Sequence, residues 1–218
     1  IEHGIELAAG TLQPARWAEA ARGIMTTDTR PKQASSQVVS SHGTYSIAGI
    51  SKGAGMIAPN MATMLGVVVT DADLSVLQAQ GTLRAAADVS FNRIVVDGDT
   101  STNDTVLLMA SGSSGVRIED AQDLAQFQEA LNAVCISLAQ QIVRDGEGVT
   151  KFITLHISGA ADATAARQIG NTIATSALVK TAFYGNDANW GRIIAAAGRA
   201  GVPFDPAQAR LWMYPDRK

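Results

Sequence analysis

The stretch SQVVSSHGTYSIAGISKGAGMIAPNMATMLGVVVTDA, residues Ser36 to Ala72, decides the fold. Its first part alternates apolar and polar residues on either side of His42-Gly43, the pattern of a β-hairpin. Its last part, MLGVVVTDA, is an apolar β-branched run and reads as a buried strand. Between them lies a loop with glycine and proline that ends at Thr63. A hydroxyl side chain thus stands where a loop enters a core strand.

Working outward, IEHGIELAAG and PARWAEAARGIM read as two short amphipathic helices, with Pro14 suited to a first turn and Trp17, Ala21 and Ile24 on one face. TTDTRPK is a polar loop. Downstream, Asp73 is placed to cap a helix through LSVLQAQGTLRAAADVSFN. RIVV and VLLMASG read as strands on either side of the polar turn DGDTSTNDT, and SGSSG as a flexible crossing. Asp120 opens a long helix to about Arg144, with Leu124, Phe127, Leu131, Val134, Leu138 and Ile142 as its core stripe. Gly146 and Gly148 end it. TKFITLHISGA alternates as a strand, DATAARQIGNTIATSALVKTAFYG is helical, and NWGRIIAAAGRAG is a further helix capped by Asn189. Strands and helices mix without a βαβ rhythm, which predicts α+β layers rather than a doubly wound sheet.

The bulk properties narrow the function. The chain has 218 residues, 46% hydrophobic and 17% charged, enough for a sizeable core. Net charge is −3, with no basic stripe and few aromatics, so nucleic acid and anionic lipid are not expected partners. No apolar run reaches the length of a membrane span and no signal peptide is visible, which predicts the cytoplasm. The single cysteine, Cys135, falls on the apolar face of the long helix and reads as an inert core thiol. His3, His42 and His156 show no metal spacing.

Thr63 carries the chemical question. A threonine hydroxyl becomes a good nucleophile when a base stands beside it, and an α-amine on the same residue is such a base. That amine titrates near pH 7.7–8.0, close to the ideal for general-base work. Thr63 gains a free amine only if the Ala62–Thr63 bond is cut. Its own hydroxyl can do this by attacking the Ala62 carbonyl, shifting the acyl group to oxygen and leaving an ester for water. The plain alternative is an ordinary threonine at the start of a strand.

KGAGMIAPNMATMLGVVVTDA resembles the cleavage region of the ornithine acetyltransferase family, the bifunctional glutamate N-acetyltransferases. IMTTDTRPK, DGDTSTNDT, GEGVTKF and KTAFYGNDANWGRI agree in the same order, so the resemblance runs from about Ile1 to about Arg210. It implies a layered αββα-type sandwich with mixed, largely antiparallel sheets, of the self-processed N-terminal-nucleophile kind. It implies cleavage between Ala62 and Thr63, with residues 1–62 closing an α chain and 63–218 opening a β chain that carries the acetyl group on Thr63. Thr26, Lys52 and Glu147 match substrate-binding positions. The bland readings beside these are a loop threonine, a solvated lysine and a turn acid.

The reaction implied moves an acetyl group from N-acetylornithine to glutamate, with no metal or organic cofactor; some members also take acetyl-CoA directly. The α and β chains of such enzymes usually assemble as α2β2. An amidohydrolase or aminopeptidase using the same threonine is the competing chemistry, and a non-catalytic scaffold of the same fold is the competing class. An upstream Thr-Gly oxyanion pair and a C-terminal substrate segment are expected to lie outside this chain. Asp97, Asp99 and Asp104 of DGDTSTNDT lack the full calcium-loop pattern and are expected to form a hydrogen-bonded turn supporting the site. Asn189 either caps its helix or presents that helix's N-terminus to an anionic group.

Overall fold

The computed structural model describes residues 1–58 and 64–214. Helices α1 (Glu2–Gly10) and α2 (Trp17–Gly23) precede a hairpin of β1 (Lys32–Ser40) and β2 (Gly43–Lys52). Gly43 turns the chain at φ +133, a conformation side chains rarely adopt. Strand β3 (Leu65–Thr70) pairs antiparallel with β2. Helix α3 (Val76–Val89) leads across to β4 (Thr105–Ala110), which pairs parallel with β3. The result is a four-stranded mixed sheet in the order β1-β2-β3-β4.

Helix α4 (Ala121–Arg144) lies across β1 and β2, with α3 packed beside it. The expected stripe is what it buries: Phe127, Leu131, Val134, Leu138 and Ile142 meet Tyr45, Ile47 and Val68 from the sheet. Gly49 allows the close approach, since a Cβ there would lie 2.9 Å from Leu138 Cδ1. Asp120 caps α4 as expected, accepting the N–H groups of Gln122 and Asp123. Cys135 is fully buried, and burial pushes its thiol up to about 12. It is the core thiol that the helical pattern predicts.

A second apolar cluster joins α5 (Ala163–Ala174), α6 (Ala177–Tyr184) and α7 (Trp190–Gly198) through Ile173, Val179 and Ile193. The α+β class therefore holds: a mixed sheet is packed by helices. One sheet lies among the described residues, so the second sheet of the expected sandwich is not among them. The face away from α4 leaves Leu107 49% and Met109 52% exposed.

Several local expectations are corrected. TKFITLHISGA forms no ladder among the described residues; residues 151–158 belong to no helix or strand, with Leu155 and Ile157 packed on the second cluster. Alternation records two unlike faces, not a paired neighbour. RIVV is also unpaired, following a 3-10 turn at Phe91–Arg93, and its Val96 N–H donates to the Ile57 carbonyl at 2.8 Å. Ser75, not Asp73, caps α3, through a reciprocal box with Gln78. Asp73 is held instead in a parallel bridge with Arg117. The single helix expected over residues 162–185 breaks at Thr175–Ser176, where Thr175 donates its hydroxyl back to Asn171. SGSSG is a tied turn rather than a crossing: Ser111 and Ser114 donate their N–H groups to Thr70 and Asp71. Helix α1 buries none of its residues.

Candidate active site

One end of the sheet gathers the residues singled out from the sequence. Lys52 closes β2 and pairs with Leu65, the first residue of β3. Thr63 precedes Leu65 by two positions; it and Ala62 lie outside the described residues. Asp104 immediately precedes β4, and its Oδ1 accepts the Met64 N–H at 2.6 Å. Thr105 returns its own N–H to the Met64 carbonyl at 3.1 Å.

The turn DGDTSTNDT acts on the main chain as expected, and at two points. Asp97 accepts the N–H groups of Met56 and Ile57 at 2.6 and 3.0 Å. Asp104 accepts that of Met64. Carboxylates from one turn thus hold the chain on both sides of residues 59–63. Met56 sits at φ 52, in the left-handed region that side chains seldom occupy, and the Asp97 bond secures its N–H there. The second oxygen of Asp104 is buried and has no hydrogen-bond partner among the described residues. Burial raises the Asp104 carboxyl above the usual range, outweighing the Met64 N–H and the nearby charge of Lys52, which both lower it.

Lys52 is only 7% exposed, and its charge acts on the nearby Asp104 carboxyl. A cation on a largely buried stem at this end of the sheet is placed to attract an incoming carboxylate. Glu147, just past α4, donates its N–H to the Ala54 carbonyl at 2.8 Å. Its carboxylate lies over Gly55, where a Cβ would stand 2.9 Å from Oε1 and 3.1 Å from Oε2. Gly55 of KGAG therefore leaves room for an exposed carboxylate three residues along the chain from Lys52. Thr26 is exposed, and its N–H donates to Asp28 Oδ2 at 3.2 Å.

The sequence reading missed a buried ionic cluster behind these residues. Lys32 Nζ donates to Asp28 Oδ1 at 2.6 Å and to Asp145 Oδ2 at 2.7 Å. Asp28 Oδ1 also accepts the Gly53 N–H at 2.7 Å. Asp145 accepts the N–H groups of Thr29 and Arg30 at 2.9 and 3.3 Å, and the Thr29 hydroxyl. Burial works against ionising both carboxyls, but Lys32 and these N–H and O–H donors outweigh it and hold them below the usual range. The spacing D-T-R-P-K carried half the signal; nothing local to Asp145 carried the rest.

Two other groups lie apart. His42, Asp120 and Asp123 bring ligand-type atoms within 4.8 Å of one another at the hairpin end of β2, roughly 30 Å along an extended strand from Lys52. Asp120 is already engaged as the α4 cap. Asn189 Oδ1 accepts the Arg192 N–H at 3.1 Å, so its capping reading holds.

The fold and site together define an α+β layer whose polar groups collect where three strands begin or end. The ArgJ family model matches residues 1–216, and the chain belongs to that family. Curated relatives include the arginine biosynthesis bifunctional protein ArgJ of Symbiobacterium thermophilum, 49% identical over 215 residues, covering 98% of this chain and 54% of the relative. That of Chlorobaculum tepidum is 52% identical over 201 residues, covering 92% of this chain and 49% of the relative. The mitochondrial protein of the same name from Heterostelium pallidum is 50% identical over 215 residues, covering 97% and 49%. The chain spans about half the length of the curated relatives it matches. The crystal structure of the arginine biosynthesis bifunctional protein argJ of Bacillus halodurans matches with a TM-score of 0.60 at 48% identity, covering 62% of this chain and 64% of that one.

Proposed function

We propose that this chain is part of a glutamate N-acetyltransferase that moves an acetyl group from N-acetylornithine to glutamate through an ester on Thr63. The polypeptide first cuts itself at Ala62–Thr63, which frees the Thr63 amine. Thr63 Oγ attacks the acetyl carbonyl, and that amine takes the hydroxyl proton. The tetrahedral intermediate collapses as the proton passes to the departing nitrogen of ornithine. The neutral α-amine of glutamate then attacks the ester, its proton passes to the Thr63 amine, and that proton moves on to Oγ as it is expelled, restoring the hydroxyl and the free amine. The transfer needs no further reactant; the initial self-cleavage consumes one water.

In this reading Lys52 takes the α-carboxylate common to both substrates, with the Thr26 hydroxyl as a second donor. Glu147 meets the side-chain ammonium of ornithine. The single observation that supports the reading most is the gathering at one end of the sheet of the largely buried Lys52, which closes β2 opposite the entry to β3, and the Glu147 carboxylate, which lies over Gly55 three residues further along the chain. The proposed assembly is α2β2, from chains divided at residue 62. Acetyl-CoA is a second donor in this proposal, in keeping with the word bifunctional in the relatives' names. No helix among the described residues is long and apolar enough to cross a membrane, and the proposed setting is the cytoplasm.

Product analysis separates this from hydrolysis. The native full-length protein, given N-acetylornithine and glutamate, should accumulate N-acetylglutamate and ornithine in equal amounts. Accumulation of free acetate instead would favour an amidohydrolase. A donor arm with acetyl-CoA in place of N-acetylornithine tests the second activity.

A further inference from the structure

Thr26, Lys52 and Glu147 come from three separate segments of chain, and the buried Lys32–Asp28–Asp145 cluster touches all three. Asp28 holds the N–H of Thr26 itself and that of Gly53, the peptide directly after Lys52. Asp145 stands two residues before Glu147 and binds Thr29 and Arg30 of the Thr26 loop. Glu147 in turn donates to Ala54, closing the circuit back to the Lys52 segment. Lys32, 1% exposed, joins both carboxylates at the centre.

Stability alone is a poor reason for such a cluster. Buried ion pairs often do no better than apolar side chains of the same size, because desolvation offsets the attraction. The apolar contacts between α4 and the sheet already hold these elements together. What apolar packing does not supply is direction. Charged hydrogen bonds from one lysine and two carboxylates fix the angle and spacing of three loop segments at once.

We infer that Lys32, Asp28 and Asp145 are positioning residues, which set the distance between the carboxylate-receiving Lys52 with Thr26 and the amine-receiving Glu147. They do so without touching substrate. The inference rests on the substrate-site reading above. It makes the cluster a determinant of specificity: substrates whose charged ends are spaced as in N-acetylornithine bridge the two poles, and a loosened cluster stops measuring that spacing.

The test uses the native full-length protein carrying Lys32→Met, Lys32→Arg or Thr29→Val. Far-UV circular dichroism establishes folding, and rates are normalised to cleaved protein. Lys32→Met should raise KM for N-acetylornithine at least tenfold while lowering kcat less than threefold, and Lys32→Arg should recover part of that loss. Thr29→Val removes one hydroxyl and no charge; it should raise KM about threefold, and it serves if Lys32→Met does not fold. Folded variants that melt earlier but keep the wild-type KM for both substrates would overturn the inference alone. Wild-type protein that never takes up acetyl from N-acetylornithine would overturn the substrate reading and this inference with it.

Discussion

Asp104 accepts the main-chain N–H of Met64 at 2.6 Å, so a carboxylate stands one peptide unit beyond Thr63. Its other oxygen is buried with no hydrogen-bond partner among the described residues, and burial raises the pKa of this carboxyl. A buried acceptor left unpaired costs about 1–3 kcal/mol. Replacing the charge by an amide keeps the bond to Met64 but removes the anion. Asp104→Asn loses only the attraction of Lys52 and should cost about 1 kcal/mol, the centre of the range for single substitutions. It should slow acetylation of the Thr63 chain about tenfold, while the acidic limb of the pH–rate profile, set by the Thr63 amine, should remain. Single-turnover acetylation followed across pH checks this; an unchanged rate would leave Asp104 a structural acceptor only.

The ionic cluster predicts an acid-sensitive fold. Asp28 and Asp145 are held below their ordinary values in the folded protein. Carboxyls depressed by folding contribute stability above their unfolded pKa, near 3.9, and lose it as pH falls through the folded values. Urea unfolding should show a constant contribution above about pH 5 and a decline below about pH 4. Lys32→Met strands two buried carboxylates and should cost about 3–5 kcal/mol at neutral pH. In that variant the acid-dependent loss should shrink, because protonating the stranded pair relieves their repulsion.

Gly55 offers a separation of binding from stability. A Cβ there would press on the Glu147 carboxylate, the far end of an exposed and flexible side chain. Gly55→Ala should move Glu147 at a cost below about 1 kcal/mol, as expected where the neighbour can give way. KM for N-acetylornithine should rise several-fold, while KM for glutamate, which lacks the side-chain ammonium, should change little. Equal changes for both substrates would argue against an amine-binding role for Glu147.

Much of this was legible in the sequence wherever the signal is local. The α4 stripe, the Asp120 and Asn189 caps, the hairpin at His42-Gly43 and the β3 run each depend on neighbours within a few residues. The supporting role of DGDTSTNDT was legible too, because turn carboxylates habitually bind backbone. Long-range partnership was not. Residues 151–158 alternate like a strand, but no strand lies beside them among the described residues. Asp145 reads as a helix-terminal acid until the fold brings Lys32 and Thr29 against it, 113 and 116 positions away in sequence.

The most direct measurement is intact mass spectrometry of the native full-length protein after incubation with N-acetylornithine. The prediction is two chains divided between Ala62 and Thr63, with a single acetyl group on the chain headed by Thr63 and its removal on adding glutamate. Thr63→Ala should give one unbroken, unacetylated chain. An unbroken wild-type polypeptide that transfers acetyl at full rate, or an acetyl group that stays with the Thr63→Ala variant, would contradict the assignment of Thr63 as nucleophile.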